Sequence, residues 1–221
     1  MTVLAVTGTD TEVGKTVVTA AIAAVQLSLG RTVAAVKPAQ TGVGADDDGD
    51  LAEIRRLAGE VSTHEGVRLP DPLAPDTAAR TSGLPLPTLA EQQDLVARVS
   101  SQHDVTIVEG SGGLLVRLGE DFTMLDLMAP YDAAWIVVAR AGLGTLNHTE
   151  LTVRALRAAG AGVRGVVVGA WPEHPGQAEQ QNLVDLTRVT GVPLLGLLPE
   201  GASKLPVREF RRGSLGWLPT L

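Results

Sequence analysis

The sequence predicts one α/β domain built on a mostly parallel sheet with helices on both faces. Three observations lead there. Short β-branched runs alternate with longer helical stretches along the chain, which is the order of βαβ units. The runs are apolar from end to end, as in Trp135-Ile136-Val137-Val138-Ala139 and Val166-Val167-Val168, a pattern of strands covered on both faces. The first run leads at once into a glycine-containing loop, Lys-Thr and an alanine-rich helix, the order in which a protein holds a phosphate chain.

The first strand is expected at 3–8 and the first helix at 15–29, joined by Gly8-Thr9-Asp10-Thr11-Glu12-Val13-Gly14-Lys15-Thr16. Small residues let successive N–H groups converge on phosphate oxygens, Lys15 reaches the β- and γ-phosphates, and the Thr16 hydroxyl suits Mg²⁺. The helix adds its positive dipole end. The generic pattern places a glycine where Thr9 stands, so this loop is a variant. The bland alternative is a helix start with a solvated lysine, and the flanking strand and helix favour phosphate binding over it.

A second strand at 32–37 runs into Lys37-Pro38-Ala39-Gln40-Thr41-Gly42. Lys37 either points its charge over the phosphate loop or sits solvated at a turn. Thr41 offers a hydroxyl to a polar substrate or belongs to an ordinary turn. Asp46-Asp47-Asp48-Gly49-Asp50 precedes a helix at 50–58. These aspartates read as a solvated run, with Asp50 as an N-cap or one of them as a magnesium ligand. Residues 60–87, rich in Pro, Asp and Thr, read as an excursion anchored by Val67 and Leu69. A helix is expected at 88–101 and a strand at 104–109. That strand ends in Glu109-Gly110-Ser111-Gly112-Gly113, where a carboxylate at a crowded strand end serves as a second metal-organising acid. Strands at 134–139, 163–169 and 193–198 alternate with helices at 146–159 and 176–190. Gly30, Gly160 and Gly191 follow helix ends, where a left-handed cap is wanted. Gly144-Thr145-Leu146-Asn147 opens a helix, either as a bland capped start or as a seat for an anionic group. From about residue 200 onward, loops and a short helix are expected against the body.

The composition narrows the function. The 221 residues, 44% hydrophobic, suit a single domain spanning 1–221. A net charge of −7 and six aromatic residues argue against nucleic acid as a partner. The absence of cysteine removes disulfides, thiolate metal sites and cysteine nucleophiles. The N-terminus carries no signal pattern and no apolar run reaches membrane-spanning length, so no membrane and a cytoplasmic location are expected.

Together these segments resemble the dethiobiotin synthase family of P-loop NTPases. The matching residues are the loop from Gly8 to Thr16, Lys37 to Gly42, Asp50, Glu109 to Gly113 and Gly144 to His148, in order over nearly the whole chain. The spacing of the loop is this family's own form. The resemblance implies ATP-dependent closure of the ureido ring of dethiobiotin from 7,8-diaminopelargonate and CO₂, in biotin synthesis, through a carbamate and a carbamic-phosphoric anhydride. It implies that Lys15 and Lys37 are catalytic, Lys15 on the β,γ-phosphates and Lys37 on the carbamate and moving phosphoryl. Glu12, Val13, Gly14, Lys15, Thr16 and Val17 would wrap the phosphates, and Thr16, Asp50 and Glu109 would organise Mg²⁺. Thr41 and the loop Gly110, Ser111, Gly112 and Gly113 would meet the diamine and carbamate. The substrate carboxylate would reach Gly144, Thr145, Leu146 and Asn147 of a second subunit, in a homodimer with shared sites. One departure stands out: an asparagine commonly reads adenine where this chain has Gly169-Ala170-Trp171-Pro172. The base pocket would then rest on Gly169, Ala170, Pro199, Glu200 and Gly201, with relaxed base selectivity.

Two other classes share features with this reading. A Min/Par-type partitioning ATPase has the fold, but carries a lysine where this loop has Asp10, and its membrane-bound members end in a basic amphipathic helix not evident here. An amide ligase of the cobyrinic-acid type usually carries a glutaminase domain for which 221 residues leave no room.

Overall fold

The computed structural model describes residues 1–220; Leu221, the last residue of the expected domain, lies outside the described residues. Seven strands form one parallel sheet in the order β3-β2-β4-β1-β5-β6-β7. They are β1 (Thr2–Gly8), β2 (Val33–Thr41), β3 (Ser62–Leu69), β4 (Val105–Gly113), β5 (Ala134–Ala139), β6 (Gly162–Trp171) and β7 (Leu194–Pro199). The central strands are buried on both faces, which is why they read as unbroken apolar runs.

Eight α-helices connect them: α1 (Lys15–Ser28), α2 (Asp50–Ala58), α3 (Pro75–Ser82), α4 (Leu89–Ser100), α5 (Met124–Met128), α6 (Thr145–Ala158), α7 (Gln177–Thr190) and α8 (Val207–Trp217). On one face Ile22, Ile54 and Phe210, from α1, α2 and α8, join Leu4, Val6 and Ile107 of the sheet in one core. On the other, Val96, Leu127 and Leu156, from α4, α5 and α6, join Ala5, Val36 and Val137. Gly30, Gly160 and Gly191 take φ of 75°, 75° and 64° after α1, α6 and α7, the left-handed caps expected there.

Four expectations need correction. Residues 60–87 contain an edge strand and a helix, β3 and α3. The strand Ser-Thr-His-Glu-Gly-Val-Arg-Leu is mostly half-exposed and so lacks the apolar run that marks its neighbours. Only its register with β2, from Ala34↔Ser62 to Thr41↔Leu69, makes it a strand. The five-residue α5 also went unread. At the C-terminus the expected short helix is an 11-residue one, α8, with Phe210 and Ser214 buried. Finally, β2, β4 and β6 run two to four residues beyond their expected ends, so Pro38 to Thr41, Gly110 to Gly113 and Ala170 to Trp171 are strand rather than loop.

Candidate functional site

The carboxyl ends of β1, β2 and β4 and the amino ends of α1 and α2 surround a cavity of about 850 Å³, lined by Lys15, Thr16, Lys37, Thr41, Asp50 and Gly112 among others. That is where an open parallel sheet places ligands. The phosphate loop is tied to the sheet by Thr9 N–H donating to Val138 O at 2.9 Å. Gly8 takes over the role of the missing glycine, since a Cβ there would meet Asp10 O at 2.7 Å and Val13 Cγ2 at 2.9 Å. Glu12 and Gly14 hold φ of 56° and 92°, and Glu12 is the one non-glycine in the left-handed region among the described residues. This alternation turns successive N–H groups towards one centre.

Lys15 donates to Asp10 O at 2.9 Å. Burial first, and then the positive charge of Lys37, bring its ammonium down to about 8. Lys37 is 3% exposed and lies between two carboxylates, 2.6 Å from Asp50 Oδ2 and 2.8 Å from Glu109 Oε1. It also donates to Gly110 O at 3.3 Å. Burial is the largest single influence on Lys37 and opposes its charge, yet Glu109 and Asp50 together outweigh it and hold the ammonium above its ordinary range. The chain has three lysines, 15, 37 and 204, and two of them stand in this cavity.

Glu109 is fully buried. Its Oε1 accepts from the Thr16 hydroxyl at 3.0 Å and from Lys37, while Oε2 has no hydrogen-bond partner. Asp50 is the first residue of α2, with Gly49 as the N-cap; the N-cap reading of Asp50 is corrected accordingly. Its N–H donates to Gln40 Oε1 at 2.9 Å, which turns the carboxylate towards Lys37. The Ser111 hydroxyl donates to Ala39 O at 2.6 Å.

An oxygen set of Thr16, Asp50 and Glu109, with a buried unpartnered carboxylate oxygen, fits a hard cation such as Mg²⁺. Mg²⁺ keeps waters and takes phosphate oxygens rather than an all-protein cage. No group of three or more His, Cys, Asp or Glu able to hold a metal occurs among the described residues.

The remaining expected residues lie at two neighbouring places. Gly169 is pressed under the phosphate loop: a Cβ on it would meet Val13 O at 2.0 Å, and one on Gly14 would meet Gly169 O at 2.8 Å. Ala170 follows it on β6, Pro199 ends β7, and Glu200 and Gly201 form the turn after it, held by Glu200 N–H donating to Trp171 O at 2.7 Å. Gly144, with φ 88°, caps α6. There Thr145 is buried and bonds Thr149, while Asn147 is exposed. This helix start is outside the cavity. It is joined to the loop through Arg140, whose guanidinium bonds Asp10 Oδ2 at 2.7 Å.

Sequence reasoning missed the apolar wall opposite Lys37, made of Pro72, Leu73, Ala74, Pro75 and Val116. The proline pair bracketing Leu73 and Ala74 was the available signal. A second open groove of about 860 Å³ runs between α3 and residues 120–122; it lacks the buried charges of the first.

The pattern of the AAA domain family matches residues 2–204. ATP-dependent dethiobiotin synthetase of Rhodococcus jostii is 54% identical over 218 residues, covering 98% of this chain and 94% of the relative. The enzyme of that name from Streptomyces avermitilis is 53% identical over 219 residues, covering 99% and 92%. Among solved structures, the septum site-determining protein MinD of Pyrococcus horikoshii with Mg-ADP superposes with a TM-score of 0.62 at 17% identity, covering 100% of this chain and 90% of that one. A ParA family ATPase of Chlorobium tepidum gives 0.61 at 13%, covering 100% and 94%. These likenesses carry the fold.

Proposed function

The chain belongs to the ATP-dependent dethiobiotin synthetase family, and on that footing we propose how its residues divide the work of ATP-driven dethiobiotin formation in biotin biosynthesis. It is a ligase forming C–N bonds. The substrates in this reading are 7,8-diaminopelargonate, CO₂ and ATP. One amine adds CO₂ to give a carbamate. A carbamate oxygen attacks the γ-phosphorus as the bond to the β-bridging oxygen breaks, releasing ADP. The second amine then attacks the carbonyl carbon of the mixed anhydride, loses a proton and expels phosphate, closing the ring.

The observation that carries the reading is Lys37, a buried ammonium 2.6 and 2.8 Å from two carboxylates and lining the same cavity as the phosphate-loop lysine. Phosphoryl transfer asks the protein for position and for positive charge where negative charge moves. Lys37 supplies that charge on the carbamate side, and Lys15 on the β,γ-phosphates once it leaves Asp10 O. The N–H groups from Glu12 to Val17 wrap the phosphates. Thr16, Asp50 and Glu109 hold Mg²⁺, which when bound offsets phosphate charge. Thr41 and Gly112 meet the polar end of the diamine, and the Pro72–Pro75 wall suits its hydrocarbon chain. A start of α6 at Gly144 to Asn147, from a second copy, takes the carboxylate, in a cytoplasmic homodimer.

At the base pocket Gly169 leaves no room for a side chain, which supports base reading by backbone or by other side chains and hence relaxed selectivity among ATP, CTP and GTP. A steep preference for ATP would overturn that part. The partitioning reading fits less well: the amphipathic α8 carries Arg208, Arg211 and Arg212, but its apolar Phe210 is fully buried in the body.

A steady-state phosphate-release assay tests the whole. Release should require the diamine and bicarbonate together, and diamine-independent ATPase activity would sink the synthase reading. Lys37→Gln should abolish turnover while nucleotide binding stays measurable; near-normal turnover would remove Lys37 from the mechanism.

A further inference from the structure

Past Val36 the strand that carries Lys37 loses one of its two neighbours. The register of β2 with β4 ends at Val36↔Val108, while that with β3 continues to Thr41↔Leu69. Beyond that point β2 is held on the β4 side without a ladder, and Pro38 brings no N–H of its own. Lys37 reaches across this opening to Glu109 and Gly110 O. A buried ion pair set on a half-held strand is a geometry that needs fixing from elsewhere.

Ser111 of β4 supplies one bond across the opening, its hydroxyl donating to Ala39 O at 2.6 Å, and a second comes from α4. Gln92 is 2% exposed and leads the inward face that Val96, Val99 and Ser100 continue. Its Nε2 donates to Pro38 O at 3.0 Å, a buried bond across 54 positions of sequence. Gly66 on β3 makes the room: a Cβ there would lie 2.3 Å from Gln92 Nε2 and 2.4 Å from Pro38 O. Gln92 Oε1 is buried without a partner, and such an atom carries its desolvation cost uncompensated. A chain that only needed a filled core at this position would do better with leucine or methionine.

We propose that Gln92 is a positioning residue for Lys37, acting through the carbonyl of Pro38 to hold the ammonium between Asp50 and Glu109. The proposal rests on the role given above to Lys37. Gln92 is not among the residues lining the cavity, so its removal should act on turnover and not on nucleotide binding.

Three lysines in the chain make the test direct, because lysine labelled with ¹³C at Cε gives one signal each for Lys15, Lys37 and Lys204. In Gln92→Met the Lys37 signal should move from its unsubstituted position while those of Lys15 and Lys204 stay. kcat should fall about tenfold or more, the effect of a misplaced reacting group, with the nucleotide KM little changed. Gln92→Leu, which fills the same space without a donor, should reproduce both effects and serves if Gln92→Met does not fold. Val96→Ala, on the same face of α4, should lower the melting temperature without moving the Lys37 signal. An unmoved Lys37 signal in both Gln92→Met and Gln92→Leu overturns the proposal, as does an equal shift in Val96→Ala. If the unsubstituted protein does not turn over the diamine, the functional reading fails, and the lysine signals still decide what Gln92 does.

Discussion

At the scale of single residues, the two site lysines are held in opposite ways by their surroundings. Lys15 is brought down to about 8 by burial and by the charge of Lys37, while Lys37 is held up by Glu109 and Asp50 against its burial. A bound triphosphate favours the ammonium form of Lys15. Above pH 8 the complex therefore binds more protons than the free protein, and affinity is lost as pH rises. Nucleotide Kd should be flat from pH 6.5 to about 8 and then weaken by up to about tenfold per pH unit, with proton uptake visible in calorimetry. Lys15→Arg, charged throughout, should abolish the alkaline limb; the same limb in that variant would assign it to another group. Thr41, at the end of β2 on the cavity wall, belongs to the other half of the site. Thr41→Ala should raise the diamine KM before it affects nucleotide affinity, and an effect on ATP alone would count against its role. Lys15 and Glu109 could be singled out in sequence because one opens a helix and the other follows an apolar run, while Lys37 stayed open between a charge over the loop and a solvated turn until the resemblance gave it a role. Gln40 and Gln92 were not, since a neutral amide is informative only once its partners, Asp50 N–H and Pro38 O, are known.

At the scale of elements, the legible strands are those buried on both faces, and the illegible one is β3, whose residues alternate weakly at a sheet edge. Two strand ends fall beyond the expected ones for a related reason: Pro38 and Gly110 look like loop residues, yet each continues a strand. Gly169 shows what such an end does. It packs β6 against the phosphate loop so closely that a Cβ would lie 2.0 Å from Val13 O. Introducing the family's adenine-reading residue there should therefore not create an adenine-reading site. Gly169→Asn must displace the loop, and overpacking of this kind costs typically about 1–3 kcal/mol, or roughly tenfold in affinity. The expected result is weaker binding of ATP, CTP and GTP alike. Sharpened ATP preference with unweakened ATP binding would show that the loop can yield to a side chain.

At the scale of the whole molecule, the parallel frame and the face on which the chemistry stands follow from the strand–helix alternation, because ligands gather at the carboxyl ends of such sheets. What one chain leaves open is the far end of the substrate. The cavity is lined by Lys15, Lys37 and Asp50, with Glu109 paired to Lys37, while the helix start at Gly144 to Asn147 lies outside it, beyond the Asp10–Arg140 pair. In the shared-site homodimer proposed above, each half of one site would come from a different copy. Lys37→Gln disables the phosphoryl half. Asn147→Glu, at an exposed position, sets a carboxylate against the substrate's own and disables the other half. Each variant alone should be inactive or nearly so. After unfolding and refolding in an equal mixture, half the dimers combine one copy of each, and each such dimer holds one intact site. Activity should return to about a quarter of the unsubstituted level. No recovery, with mixed dimers demonstrated by mass spectrometry, would mean that each copy carries a complete site of its own.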